Sequence, residues 1–264
     1  MTKPIGIIDS GLGGLSIFST LLKTLPNESF IYIADSKNCP YGGKSKKEIL
    51  SLTEAMVNYL KNRDIKFLVV ACNTITVTAI KDLREEFKDI PIVGIVPVIK
   101  TAAERTKNGK IGIFSTVVTS KSKYQKELID NFADGVKVIN VGSSDLVPLI
   151  EKGEAKQIKK VLEDELGIFK ENDIDTLALG CSHFPLIKKQ ISKVLPNVLI
   201  LDSSGAVSRQ VKRILQVNNM LSTSSNSFYN FLTTGNKDFF EKFVLKRFGS
   251  KLTNKAKIEK ISLQ

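Results

Sequence analysis

Cysteine and histidine, the residues that most often build disulfide frameworks and zinc sites, are scarce in this sequence. The 264-residue chain contains three cysteines, one histidine and no tryptophan. Three cysteines cannot form a disulfide framework, so reduced thiols in a cytoplasm are the expectation. A single histidine, with no Cys-x-x-Cys pair, argues against a zinc site built by the protein. We therefore expect a cytoplasmic protein without a metal site.

Long hydrophobic runs are also absent. The longest uncharged apolar stretch, residues 67–80, has 14 residues and includes an asparagine and several threonines. It is too short and too polar to span a bilayer. At the N-terminus, Asp9 interrupts the apolar segment that a signal peptide would need. The sequence therefore predicts neither membrane insertion nor secretion.

The charge is strongly positive, yet arginine is rare. Lys and Arg number 39 against 27 Asp and Glu, which gives a net charge of +12, and only six of the 39 are Arg. Nucleic-acid readers favour Arg for bidentate contacts, so a lysine excess is more typical of a solvated surface or of an anionic partner. A nucleic-acid-binding protein stays open as an alternative, but no reading motif supports nucleic acid as the main partner. The lysines that suggest it lie near the C-terminus: Lys251, Lys255, Lys257 and Lys260.

Apolar β-branched runs alternate with amphipathic segments along the chain. Continuous apolar strands between helices predict an α/β fold with parallel sheets that are covered on both faces. Strands are predicted at Ile5–Asp9, Phe30–Ala34, Phe67–Ala71, Ile92–Ile95, Ile111–Phe114, Val136–Val141, Thr176–Leu179 and Val198–Leu201. Helices are predicted at Lys44–Lys61, Thr74–Phe87, Ser120–Phe132, Glu154–Phe169 and Pro185–Val194.

The pattern repeats within the chain. Residues 5–10 align with residues 111–116, and residues 70–74 align with residues 179–183, at offsets of 106 and 109. Two matches at nearly one offset predict two pseudo-symmetric α/β domains with the active site in the cleft between them. We expect the first domain to comprise residues 1–96 together with a returning tail, 207–264, and the second to comprise residues 97–206.

Each half carries a cysteine where a predicted strand ends and a helix begins. Cys72 and Cys181 occupy these positions, which in parallel sheets form the ligand-binding edge. A thiolate on one side of a cleft can remove a proton from carbon while a thiol on the other side returns one, and this exchange inverts a stereocentre. Asp9 and His183 are placed to assist the two thiols. Thr74 is predicted to cap the first helix, and Pro185 suits the first turn of the second.

Two further loops are candidate ligand sites. The glycine-rich segment after Asp9 departs from the dinucleotide fingerprint at Ser16, and no Gly-Lys-Ser/Thr follows, so its glycines more simply permit a tight turn and close backbone approach. Pro40, Tyr41 and Gly42 form a predicted turn that would bring backbone N–H groups and a phenol towards a ligand. On its own, this tripeptide is better explained as a plain turn.

Taken together, these motifs resemble the glutamate racemase family within the cofactor-independent aspartate/glutamate racemase superfamily. The motifs begin with Asp9-Ser10-Gly11, include Ala71-Cys72-Asn73-Thr74, and end with Gly180-Cys181-Ser182-His183. The resemblance covers about residues 4–205 and departs from the family at Ser182, where a threonine is usual. It implies that L- and D-glutamate are interconverted for peptidoglycan synthesis, without cofactor or metal, by a homodimer.

The resemblance also implies a set of site residues. It assigns Cys72 and Cys181 as the catalytic acid/bases, with Asp9, His183 and Glu151 assisting. The residues implied to bind substrate are Asp9, Ser10, Pro40, Tyr41, Gly42, Cys72, Asn73, Thr74, Thr116, Thr119, Cys181, Ser182 and His183.

Two other activities remain open at this point. One is racemisation of aspartate or another amino acid within the same superfamily. The other is a cysteine hydrolase, with Cys181 or Cys72 as nucleophile and His183 as base. A hydrolase would leave the cysteine of the other repeat without a role.

Overall fold

The computed structural model describes residues 3–249, residue 252 and residues 255–263. Lys251, one of the lysines of the basic C-terminal end, lies outside these residues. The chain divides into two compact units. Unit 1 consists of the described residues of Met1–Ile95 and Ser204–Gln264, and unit 2 is Val96–Ser203.

Strands and helices alternate along nearly the whole chain. The helices are α1 (Leu15–Thr24), α2 (Lys46–Lys61), α3 (Asn73–Glu86), α4 (Ile99–Arg105), α5 (Val117–Ser120), α6 (Lys123–Phe132), α7 (Leu146–Lys152), α8 (Ala155–Glu165), α9 (Gly167–Glu171), α10 (Lys188–Val194), α11 (Ser204–Val217) and α12 (Lys237–Phe248). The strands are β1 (Ile5–Asp9), β2 (Phe30–Ala34), β3 (Phe67–Val70), β4 (Ile92–Gly94), β5 (Lys110–Thr116), β6 (Lys137–Ser143), β7 (Thr176–Gly180), β8 (Leu199–Leu201), β9 (Tyr229–Thr233) and β10 (Ala256–Lys260). Tyr41–Gly43 and Phe184–Ile187 form 3₁₀ turns.

Unit 1 is built on a parallel sheet with the described strand order β10-β9-β2-β1-β3-β4. Every residue of β1, β2 and β3 is buried, as expected for central parallel strands covered on both faces. An aromatic cluster packs beside them: the ring of Phe18 meets those of Phe30, Phe231 and Phe248 edge to face, with centroids 4.9–5.5 Å apart. The tail is therefore part of the first core.

Unit 2 is built on a parallel sheet with the described order β6-β5-β7-β8. This order matches β2-β1-β3-β4 of unit 1, strand for strand. The two units also share a close contact between a strand glycine and a buried isoleucine. A Cβ added to Gly6 would lie 2.9 Å from Ile65, and one added to Gly112 would lie 2.6 Å from Ile174. A larger side chain at either strand would force these buried side-chain ends to shift, so both repeats favour glycine there.

The predicted fold class is confirmed, because both units are parallel-sheet α/β structures. All eight predicted strands are present, with ends that shift by at most two residues. Among the described residues, no helix has both the length and the hydrophobicity that a bilayer crossing requires.

Several predicted elements were wrong. The helix predicted at Glu154–Phe169 is two helices, because α8 ends at Glu165 and Gly167, a poor helix former, opens α9. The predicted helix at Ser120–Phe132 begins only at Lys123, after the separate short helix α5. The first turn of the helix predicted at Pro185–Val194 is a 3₁₀ turn. In the tail, no helix or strand was predicted, whereas the structure contains α11, β9, α12 and β10.

Candidate active site

In unit 1, the ends of β1 and β3 bring three candidate residues to one edge of the sheet. Ile8 pairs with Val70, so the chain leaves both strands side by side, with Asp9 at one exit and Cys72 at the other. Asp9 is fully buried and Cys72 is 4% exposed. The Oγ of Ser10 lies 3.5 Å from the Sγ of Cys72. The structure thus places an acid and a hydroxyl at the exits that carry the first thiol.

Cys72 is the N-cap of α3, with extended backbone (φ −105°, ψ 123°). The prediction that Thr74 caps this helix was wrong, since Thr74 lies inside its first turn. Thr76 anchors the turn instead: its hydroxyl donates to the Cys72 carbonyl at 3.0 Å and accepts from the Ile95 backbone N–H at 3.1 Å. The amide Nδ2 of Asn73 is buried and has no hydrogen-bond partner in the described residues. A buried donor of this kind is costly unless a ligand accepts from it.

Hydrogen bonds between its backbone and two side chains hold the loop after β1. The Gly11 N–H donates to Asp9 Oδ1 at 2.8 Å, and the Tyr32 hydroxyl donates to the Gly11 carbonyl at 2.7 Å. A Cβ on Gly14 would lie 2.9 Å from the side chains of Ala71, Asp9 and Tyr32. The prediction that these glycines allow close backbone approach is confirmed at Gly14.

Tyr41 does not present its hydroxyl as the sequence suggested. Its side chain is buried, and its hydroxyl donates to Asp35 Oδ2 at 2.6 Å. Burial, followed by the charge of Asp35 and the hydrogen bond to it, and then by Cys72 and Asp9, raises the pKa of Tyr41 well above its usual range. The phenol therefore stays protonated, with its proton committed to Asp35. Tyr41 offers a ligand its ring and backbone, while the neighbouring Pro40 is exposed and Gly42 half-buried.

Asp35 is a residue that the sequence analysis missed. It follows β2 directly and is fully buried. Besides Tyr41, it accepts from Asn38 Nδ2, at 3.0 Å to each oxygen, and from the Thr234 hydroxyl at 2.7 Å. Its position at a strand exit was the available signal, but nothing near it in sequence indicates Thr234.

In unit 2, Cys181 follows β7 and is 5% exposed. A Cβ on the preceding residue, Gly180, would lie 2.8 Å from Ser115 and 3.0 Å from Pro97, so a larger residue would collide there. The chain then enters the 3₁₀ turn, whose first turn contains Pro185 as predicted. The Phe184 N–H donates to the Cys181 carbonyl at 3.2 Å.

His183 is paired with Glu151. Its Nε2 lies 2.6 Å from Glu151 Oε1, and its Nδ1 lies 3.5 Å from the Ser182 hydroxyl. The imidazole is 1% exposed. A carboxylate on one ring nitrogen fixes the ring and leaves the other nitrogen for proton transfer or binding. Glu151, named only by resemblance, therefore has a direct contact with another candidate residue.

Thr116 and Thr119 form a second small group in unit 2. Thr116 is the N-cap of α5, and its Oγ1 accepts from the Thr119 N–H at 3.3 Å. The two hydroxyls lie 3.0 Å apart. Both threonines are buried at the carboxyl end of β5, the strand that pairs with β7.

Each unit thus has a buried thiol just after one of its central strands. Asp9 ends the neighbouring strand in unit 1, and in unit 2 Glu151 of α7 contacts His183, two residues after the thiol. The sequence profile of the Asp/Glu/Hydantoin racemase family matches residues 5–211, which run from β1 into α11 and contain both thiols. The chain belongs to the Asp/Glu/Hydantoin racemase family. It is a racemase, and therefore an isomerase.

Known relatives match this racemase over most of its length. A glutamate racemase of Clostridium novyi is 42% identical over 221 residues, which cover 83% of this chain and 85% of the relative. A crystal structure of a glutamate racemase isoform from Bacillus anthracis has a TM-score of 0.87 at 33% identity, over 99% of this chain and 98% of that one. The Escherichia coli glutamate racemase, solved with L-glutamate and the activator UDP-MurNAc-ala, has a TM-score of 0.85 at 32% identity over 99% of both chains. The resemblance predicted from the motifs is confirmed.

Proposed function

We propose that this racemase interconverts L- and D-glutamate by a two-thiol mechanism. The observation that carries the proposal is the equivalence of Cys72 and Cys181. Each is a buried thiol that follows the strand paired with the first strand of its unit: Cys72 follows β3, which pairs with β1, and Cys181 follows β7, which pairs with β5. The two thiols therefore occupy the same place in two matching sheets. Relatives named as glutamate racemases, one of them solved with L-glutamate, support glutamate as the substrate.

In the proposed reaction, one cysteine acts as a thiolate and takes the α-proton. The electron pair of the broken C–H bond stays on the substrate as a carbanion. The thiol of the other cysteine then delivers its proton to the opposite face of that carbon. The thiol and thiolate have exchanged places at the end of the turnover, so the reverse direction starts from the product state. The mechanism requires both thiols to reach one α-carbon.

Neighbouring groups supply the electrostatics of the proposed reaction. Asp9 serves the Cys72 side, and the His183–Glu151 pair, with its 2.6 Å contact, serves the Cys181 side. The unpartnered Asn73 amide and the N-terminus of α3 are suited to a substrate carboxylate. We assign further substrate contacts to the hydroxyl groups and the loop around Tyr41 that the resemblance names: Ser10, Pro40, Tyr41, Gly42, Thr74, Thr116, Thr119 and Ser182.

We further propose that the product D-glutamate supplies peptidoglycan synthesis and that the enzyme works in the cytoplasm as a homodimer. All three cysteines lie in the described residues, and no disulfide joins them. A mechanism based on two thiols needs a reducing compartment to keep them as thiols.

The decisive experiment uses Cys72→Ser and Cys181→Ser, because serine is too weak an acid to replace the thiol. Each enantiomer of glutamate is offered in deuterated solvent without added cofactor. Circular dichroism follows racemisation, and proton NMR follows loss of the α-proton signal. We expect each substitution to lower kcat by at least about 100-fold, the usual range for loss of a positioned acid or base.

Cys39→Ser is the matched control, since Cys39 is the remaining cysteine and we assign it no role in proton transfer. We expect it to retain most of the activity. Near-normal turnover in either Cys72→Ser or Cys181→Ser would contradict the mechanism. Faster racemisation of aspartate than of glutamate would contradict the substrate assignment while leaving the mechanism intact.

A further inference from the structure

A cavity of about 360 Å³ lies within unit 1, and its lining does not include Cys72, Asp9 or Ser10. It opens at the carboxyl ends of β2, β9 and β10, where the pairing of Thr233 with Ala34 and Lys260 brings three strand exits level. Ligands of parallel sheets bind at this edge, and the volume is that of a site for a small molecule. Helix α2 closes one side of the cavity with Ser51, Leu52 and Ala55.

The unpaired charge in this cavity is positive. Lys37 and Lys260 line it, and neither forms an ion pair with any described residue. The one acidic residue of the lining is Asp35, whose two oxygens already accept hydrogen bonds from Asn38, Tyr41 and Thr234. A cation entering the cavity would find this carboxylate occupied. An anion would find two free ammonium groups.

Part of the lining is apolar. Leu52 and Ala55 of α2 face the cavity together with Ile261 and Leu263, which follow β10. A bare inorganic ion would leave these side chains in contact with water. A ligand that carries an apolar body as well as a negative group would cover them and gain burial energy.

We propose that this cavity binds a small organic anion, with the negative group at Lys37 and Lys260 and the apolar body against Leu52, Ala55 and Leu263. None of these residues belongs to the machinery of the proposed racemisation. The cavity therefore lies outside the proposed substrate contacts, although Asp35 in its lining also holds the turn that contains Tyr41.

The test uses 8-anilinonaphthalene-1-sulfonate, an aromatic sulfonate whose fluorescence rises in apolar surroundings, as the probe on the full chain. The double variant Lys37→Gln/Lys260→Gln removes both ammonium groups. We expect it to raise the Kd of the probe at least about tenfold, the effect of losing roughly 1.4 kcal/mol. Ala55→Phe, which fills the cavity without changing charge, should weaken binding as well.

Lys242→Gln/Lys257→Gln is the matched control, because it removes the same charge from exposed positions outside the cavity lining. It should leave the Kd within about twofold, and saturating glutamate should not displace the probe. Circular dichroism and a thermal melt establish that each variant is folded. Equal weakening in the two double variants, an unchanged Kd in Lys37→Gln/Lys260→Gln, or displacement by glutamate would overturn the proposal.

Discussion

Single residues decide how the loops of the candidate site are held. Asp35 shows this most clearly, because its carboxylate joins the exit of β2, the 3₁₀ turn that contains Tyr41, and the exit of β9. All three donors to this carboxylate are neutral groups. Asp35 therefore holds the three segments together by directed hydrogen bonds and not by ion pairing. Asp35 is a positioning residue for the turn that carries the proposed substrate contacts of Tyr41 and Gly42.

Asp35→Asn tests this role. The amide keeps the size of the side chain, but it replaces one acceptor with a donor that faces the Tyr41 and Asn38 donors. We expect the turn to loosen and the KM for glutamate to rise roughly tenfold, with a smaller fall in kcat, because misplaced binding groups reduce rate steeply. Steady-state kinetics in both directions measure the split. Asp64→Asn, at an exposed position of the same unit, is the control. A wild-type KM in Asp35→Asn would contradict the positioning role of Asp35.

At the scale of elements, helix α8 ends with Glu165, an acidic residue whose charged form is destabilised by its surroundings. Burial, with smaller contributions from Asp145 and Asp164, raises the pKa of Glu165, and a hydrogen bond to Ser143 offsets only part of this. Its Oε2 is buried and has no hydrogen-bond partner among the described residues. The ionised form of Glu165 is therefore less favourable in the folded protein than in the unfolded chain.

Glu165→Gln should stabilise the protein at neutral pH. Because the folded-state pKa is raised, the wild type loses stability as pH rises from the unfolded-state pKa of about 4.3 through the higher folded-state pKa. The glutamine variant avoids this loss, so its advantage should be present at pH 7 and shrink towards pH 4. Urea unfolding at several pH values measures the difference. Glu163→Gln, an exposed position on the same helix, should show no such gain, and a Glu165→Gln variant that is less stable than wild type at pH 7 would contradict the argument.

The sequence predicted the elements whose structure depends mainly on residues that are neighbours in the chain. Buried β-branched runs marked β1 to β8, and the strand-end rule placed Asp9, Cys72 and Cys181 correctly at strand exits. The tail gave weaker signals, since β10 is a half-exposed edge strand whose sequence alternates with charged residues. The contact of Asp35 with Thr234 joins residues 199 positions apart, and no local pattern encodes it. For the same reason the cavity at β2, β9 and β10 was not foreseen.

At the scale of the whole molecule, unit 1 is assembled from two separated stretches of chain. The returning stretch is fixed by a buried ion pair: Lys66 Nζ lies 2.7 Å from Glu28 Oε2 and 2.6 Å from the Met220 carbonyl. The Ser222 N–H donates to Glu28 Oε1 at 2.7 Å. Strand β9 then covers the edge of β2, and its aromatic residues complete the core around Phe18.

Truncation after residue 203 should therefore prevent unit 1 from folding. The edge of β2 and the ring of Phe18 would be uncovered, and exposed apolar edge strands promote aggregation. The fragment of residues 96–203 keeps its entire sheet, so we expect it to give a cooperative thermal melt by circular dichroism. Size-exclusion chromatography of the 1–203 chain and the 96–203 fragment shows which of them is monomeric and which aggregates. A monomeric, cooperatively melting 1–203 chain would show that the tail is not needed.

Because unit 1 is formed by two separated segments of the chain, it cannot complete its sheet until synthesis of the protein is nearly finished. A ribosome releases β2 and only roughly 200 residues later releases β9, its neighbour in the sheet. At about 5–20 residues per second, the early strands wait on the order of 10–40 seconds for their partner. During that interval the nascent chain displays an unfinished hydrophobic edge, while unit 2 emerges whole and folds first. Cellular yield of this enzyme should accordingly depend on chaperones that shelter nascent polypeptides.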